Sequence, residues 1–164
     1  MAALIQGQQA PDFRLPLLGG GEFSLKDALA KSAVVVAFFK ISCPVCQWAI
    51  PYYDRLAKRL QAVGVTMIGI SQDDRESTAD FLKRFGGSFP VALDNPRGYA
   101  VSNAYGLTNV PTLFEIRQDG KIVLSSVSWA RDEVESVYRR HAAGGAKAAP
   151  LFEANEKVEE FRVG

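Results

Sequence analysis

The sequence predicts an α/β fold: a three-layer sandwich with helices on both faces of a mixed central sheet. Three observations carry this prediction. Residues 33–39 and 65–71 are apolar runs rich in β-branched side chains, of the length and composition of strands buried on both faces. A stretch of helical periodicity of about five turns separates them, and such a strand–helix–strand unit demands a parallel pair with a right-handed crossover. Further along, residues 112–117 and 121–127 flank Gln118-Asp119-Gly120-Lys121, a hairpin signal that adds an antiparallel edge.

The remaining elements follow in order. Residues 7–14 form an irregular lead-in containing Pro11, and Phe13 and Leu15 alternate with polar or proline neighbours as in a short edge strand. Gly19-Gly20-Gly21 is a turn, followed by strand-like Glu22-Phe23-Ser24. Residues 25–30 read as a short helix with Ser24 as its N-cap. The long helix, 43–63, carries Ile50, Tyr53, Leu56, Ala57 and Leu60 as an apolar stripe. Pro51 sits inside it and predicts a kink, because it has no N–H for its turn. Gly64 closes that helix. Residues 74–85 form another, ended by Gly86-Gly87. A short strand at 89–93, a short helix at 97–105 and a last helix at 131–141 complete a domain of residues 1–141. The Ala/Gly-rich segment 142–149 reads as a linker to a polar tail, 151–164, with Phe152 and Phe161 as its anchors on the domain surface. There is no internal repeat.

Composition narrows the function classes. With 164 residues, 48% of them apolar and 23% charged, the chain is one soluble globular domain. A net charge of +1 excludes the basic surface that nucleic-acid binding requires. No stretch approaches the roughly 20 apolar residues of a membrane span. The N-terminus lacks a basic segment followed by a long apolar one, which predicts a cytoplasmic location unless the chain is a trimmed form.

The chain has two cysteines, Cys43 and Cys46, three positions apart at the junction of a buried strand and a helix. A secreted scaffold held by disulfides would carry more, spread along the chain. The first N–H groups of a helix have no intrahelical partners, and the dipole places partial positive charge there. A thiolate is favoured in that position, so the pKa of Cys43 should fall below the free value of ~8.5, toward ~7. Cys43 at the helix mouth is the nucleophile. Cys46, one turn in and more buried, is placed to resolve a mixed disulfide. The bland alternative is a pair of buried cysteines acting as small hydrophobes. A zinc site needs about four ligands, and the chain has one histidine, His141, and no second Cys-x-x-Cys. His141 near the end of the last helix reads as a favourable last-turn partner of the dipole. The reading requires neither metal nor cofactor.

Three motifs carry a family resemblance. Gly7-Gln8-Gln9-Ala10-Pro11-Asp12-Phe13-Arg14-Leu15 is similar to the opening segment of redoxins. Phe38-Phe39-Lys40-Ile41-Ser42-Cys43-Pro44-Val45-Cys46 is similar to their strand and active-site turn. Asn109-Val110-Pro111-Thr112-Leu113-Phe114-Glu115-Ile116, followed by Asp119-Gly120-Lys121, looks like the loop whose cis-proline faces the cysteines. The chain thus resembles the thioredoxin superfamily over residues 7–141, in the redoxin branch shared by TlpA/ResA-like thiol–disulfide oxidoreductases and AhpC/TSA peroxiredoxins. The resemblance implies a thioredoxin-like sandwich, a cis bond before Pro111, and a loop that receives an extended substrate beside the nucleophile. Cys43, Cys46 and Pro111 are then the catalytic positions, and Val110, Pro44 and Trp48 the substrate-contacting ones. Trp48, Tyr52 and Tyr53 either shape that groove or belong to the core.

The departures from the pattern also bear on function. Ser42 replaces the tryptophan usual before the first cysteine, and Pro44-Val45 replaces Gly-Pro. The carboxylates that serve the second cysteine in relatives would fall at Ala37 and Ala49, so its proton acceptor is unassigned. Lys40 either lowers a thiol pKa by its charge or is a solvated side chain. The expected activity is thiol–disulfide exchange with a protein or small-molecule disulfide and a redox partner protein, with no oligomeric state specified. One alternative is a peroxidase with antioxidant activity. Aligned on Cys46, however, the threonine and proline of the peroxiredoxin motif are replaced by Cys43 and Phe39. The other is an inactive binding module, against which the intact Cys-x-x-Cys speaks.

Overall fold

A computed structural model describes residues 2–164. Its centre is a five-stranded sheet made of β3 (Val34–Phe39), β4 (Thr66–Ser71), β5 (Val91–Leu93), β6 (Thr112–Ile116) and β7 (Ile122–Val127), in the spatial order β5-β4-β3-β6-β7. β3, β4 and β5 are parallel, β6 runs antiparallel to β3, and β7 antiparallel to β6. This is the mixed sheet expected from the sequence. β3 is central, and all six of its residues are buried. Alternation along it divides the core. Val34, Val36 and Phe38 face one layer with Ile68, Ile70, Tyr105 and Phe114, whereas Val35, Ala37 and Phe39 face the other with Leu113.

The first layer contains α1 (Leu25–Leu29), α4 (Ala100–Ala104) and the hairpin of β1 (Arg14–Pro16) with β2 (Glu22–Ser24). The second contains α2 (Pro44–Ala62), α3 (Arg75–Phe85) and α5 (Arg131–His141). The caps expected at Ser24 and Gly86 form, and Asp74 adds one that the sequence reading had placed inside its helix. Ser24 accepts from the Asp27 N–H at 3.2 Å, Asp74 caps α3 through Ser77, and Gly86 ends α3 at φ 81°. Helix α2 runs continuously through Pro51. Pro51 lies on its exposed side.

Two short pieces have no counterpart in the sequence reading. β8 (Trp129–Ala130) pairs antiparallel with β9 (Phe161–Arg162), which brings the last residues of the chain beside the sheet. Within 142–149, Gly145–Lys147 forms a single 3₁₀ turn. Of the two predicted anchors, Phe152 is buried with Leu151 and Val158 in the layer of α2 and α5, whereas Phe161 remains 55% exposed. Among the described residues, no helix is long and apolar enough to cross a membrane.

Candidate active site

The parallel strand β3 delivers the chain to the N-terminus of α2, and the two cysteines fall at that junction. Cys43 is the N-cap of α2, in extended conformation, and Pro44 takes the first helical position, where a missing N–H does no harm. The loop before it is pinned at three points. Cys43 N–H donates to the Lys40 carbonyl at 3.2 Å. Ile41 N–H donates to Asp73 Oδ2 at 2.8 Å, and Gln47 Nε2 donates to the Ile41 carbonyl at 3.0 Å. Asp73, from the segment between β4 and α3, is a residue the sequence reading did not single out. It lies on a loop 30 positions from Cys43, and only the parallel pairing of β3 with β4 brings it to the site.

The two sulfurs have opposite environments. Cys43 is half-buried and Cys46 wholly buried. The Cys46 thiol hydrogen-bonds to the Cys43 sulfur and is the largest influence on it. The Cys46 N–H donates to Cys43 Sγ at 3.2 Å. Together with the Val45 amide these donors outweigh partial burial and hold the Cys43 thiol down at about 6. The Val110 carbonyl lies 3.3 Å from Cys43 Sγ and accepts from that thiol when it is protonated. Cys46 is pushed far up, first by burial and then by the hydrogen bond it gives Cys43, with the charge of Asp73 adding to the effect. Lys40 is not among the groups that lower Cys43.

The bond between Val110 and Pro111 is cis, and Pro111 is buried next to the cysteines while Val110 is half-exposed. Thr112 Oγ1 donates to the Asn109 carbonyl at 2.8 Å, which braces the loop. Trp48 is half-buried and stacks edge-on against Trp129 with centroids 4.8 Å apart, and Tyr52 lies 4.9 Å from it. Trp48 thus forms the rim of the site with its back in an aromatic cluster. Tyr53 belongs to that cluster and to the core. Burial raises its hydroxyl pKa, and the two cysteines add to the shift. Pro44 is exposed at the helix mouth. Cys43, Cys46, Val110 and Pro111 therefore converge, with Pro44 and Trp48 at the edge.

His141 sits elsewhere. With Arg140 it binds Glu115, which is 2% exposed on β6, the His141 Nε2 to Glu115 Oε1 distance being 2.7 Å. This cluster lies toward the end of the sheet away from the cysteines, since Glu115 pairs with Val35 whereas the active-site loop follows Phe39. A cleft of about 640 Å³ between α2 and β4, lined by Asp54, Lys58, Thr66 and Phe89, is likewise remote from the cysteines. Among the described residues no group of His, Cys, Asp and Glu is arranged to hold a metal.

The chain shares sequence and fold with known proteins. Residues 6–125 match the AhpC/TSA family. The chain is 33% identical over 118 residues, 71% of its length, to the thiol–disulfide oxidoreductase ResA of Bacillus thuringiensis (strain Al Hakam), and that stretch spans 66% of the relative. It is 35% identical over 121 residues, 73% of its length, to the ResA of Geobacillus thermodenitrificans (strain NG80-2), covering 68% of it. A solved structure from Chlorobium tepidum, described as a thiol:disulfide interchange protein DsbE, superposes with a TM-score of 0.73 at 27% identity, over 84% of this chain and 96% of that one.

Proposed function

The chain belongs to the AhpC/TSA family, and from that membership and the cysteine geometry we propose that it is a thiol–disulfide oxidoreductase cycling Cys43 and Cys46 between dithiol and disulfide. The observation that carries the proposal is the pairing of an acidic, half-exposed Cys43 with a buried, proton-bearing Cys46 one helical turn behind it.

The Cys43 thiolate attacks one sulfur of a substrate disulfide. A mixed disulfide forms, and the other substrate sulfur leaves as a thiolate. Cys43 has then lost its charge, and the repulsion that opposed ionisation of Cys46 is gone. Cys46 gives up its proton to the substrate thiolate that left first, and its sulfur attacks Cys43 Sγ. The Cys43–Cys46 disulfide forms and the second substrate thiolate departs, so two electrons have passed to the substrate. A redox partner reverses the sequence. The Val110 carbonyl and Pro111 form the wall against which the substrate sulfur is placed in line with Cys43. Peroxidase chemistry fits less well, because the cysteine at the position of the peroxidatic residue, Cys46, is wholly buried and held protonated.

The test is turnover of insulin reduction with a thiol donor. Cys43→Ser should abolish turnover and all mixed-disulfide formation. Cys46→Ser should abolish turnover while trapping a mixed disulfide at Cys43. Full turnover by either variant would overturn the proposal.

A further inference from the structure

The segment after β9 lies against the cysteine loop. Gly164 N–H donates to Ser128 Oγ at 3.1 Å, and Asn109 Nδ2 donates to the Gly164 carbonyl at 2.8 Å. A methyl group on Gly164 would lie 1.8 Å from the Val110 carbonyl oxygen and 3.0 Å from Pro111 Cδ. That same oxygen is 3.3 Å from Cys43 Sγ. Two residues earlier, the Arg162 guanidinium lies over the Trp48 ring, 4.9 Å from its centroid. Residues 162–164 therefore reach from Trp48, just beyond the cysteines on α2, to Val110, whose carbonyl touches Cys43.

What holds this segment is polar and superficial. Phe161 is 55% and Val163 71% exposed, so neither apolar side chain of the segment is buried. The holding contacts include a two-residue strand pair, two hydrogen bonds, the stacked arginine and an ion pair of Arg162 with Glu159 at 3.5 Å. A segment with so little burial opens at low free energy. Its root, in contrast, is fixed. Trp129 Nε1 donates to the Glu159 carbonyl at 2.8 Å, Arg131 N–H donates to the Glu160 carbonyl at 2.8 Å, and Val158 is buried. Residues 161–164 can swing while 158–160 stay in place.

We propose that residues 161–164 form a strap that determines which disulfides reach Cys43. A small disulfide needs only in-line access to a half-exposed sulfur. A disulfide within a polypeptide must also lay its flanking backbone between Trp48 and Val110, where the strap lies, and so reacts only from the lifted state. Gly164 is the residue that lets the strap lie flush, because no side chain fits against the Val110 carbonyl. The inference rests on the exchange chemistry proposed above.

The test compares the full chain, a chain ending at Glu160, and Gly164→Val in insulin reduction, exchange with a small aromatic disulfide, and alkylation of Cys43 by iodoacetamide. The two variants should reduce insulin about tenfold faster while both small-reagent rates stay within about twofold of the parent, the factor by which a closed majority state slows a reaction of the open one. Equal insulin rates in all three proteins would overturn the strap. So would a parallel rise in all three reactions, which would report a changed thiolate and no selectivity. Alkylation by a polymer-linked maleimide separates the two proposals. If none of the proteins exchanges with any disulfide, the exchange reading fails. The ratio of bulky to small alkylation rates still decides the strap, an increase in the variants supporting it and an unchanged ratio refuting it.

Discussion

Cys43 and Cys46 have the same side chain and opposite acidities, and position alone accounts for the difference. Cys43 receives donors from the first turn of α2 and from its partner's thiol, whereas Cys46 is buried and gives its hydrogen away. The sequence showed the pair and its place at a helix mouth, and so predicted a lowered Cys43. It attributed the lowering to backbone amides, however, and the largest contribution comes from the Cys46 side chain. Nor could spacing reveal Asp73 or Glu115, whose partners lie on elements remote in sequence. For Glu115, burial raises the carboxyl pKa, but hydrogen bonds from His141 and Arg140 outweigh it and leave the group below its ordinary value. A carboxyl depressed in the folded state stabilises the protein above the unfolded-state pKa of ~4.3 and ceases to do so as the pH falls through the folded-state value. Glu115→Gln should therefore cost about 2 kcal/mol at neutral pH, part of it the loss of a partner for the half-exposed Arg140, and less below pH ~4. Urea unfolding of both proteins between pH 3 and 7, a range of about four units around that pKa, checks this.

At the scale of the element, the buried strands were the most legible because their apolar composition is continuous, and α2 because its stripe recurs over many turns. β8 and β9 were not, since each has two residues and exists only by pairing with the other. Ser128, at φ 70°, turns the chain from β7 into β8, a conformation no residue type announces as clearly as glycine would. Gly69 in β4 shows what packing asks of a strand. A methyl group there would fall 2.7 Å from the Phe89 ring and 3.1 Å from Phe39 and Val91. Gly69→Ala should overpack this layer and cost about 1–3 kcal/mol despite the better strand propensity of alanine. A lowered thermal midpoint with unchanged Cys43 alkylation is the expected result.

For the molecule as a whole, the resemblance over residues 7–141 anticipated the sandwich and the loop of Pro111, and of the buried residues in the tail the sequence pointed to Phe152 alone. Leu151, Phe152 and Val158 follow no helical or strand period, yet they are buried against α2 and α5. Arg55 fixes them by a two-pronged pair with Glu156 at 2.8 and 2.7 Å, and Glu135 accepts from the Leu151 and Phe152 amides. Phe152→Ala should cost about 3 kcal/mol in denaturant unfolding, and Phe161→Ala less than about 0.5 kcal/mol. These layers together hold one sulfur at a helix mouth against the Val110 carbonyl, and its acidity is the quantity on which the account depends. Thiolate absorbance of the reduced protein, followed against pH, measures it. One sulfur should titrate near pH 6, and that titration should vanish in Cys43→Ser; a midpoint at the free-cysteine value of ~8.5 would mean that the helix mouth does not acidify Cys43.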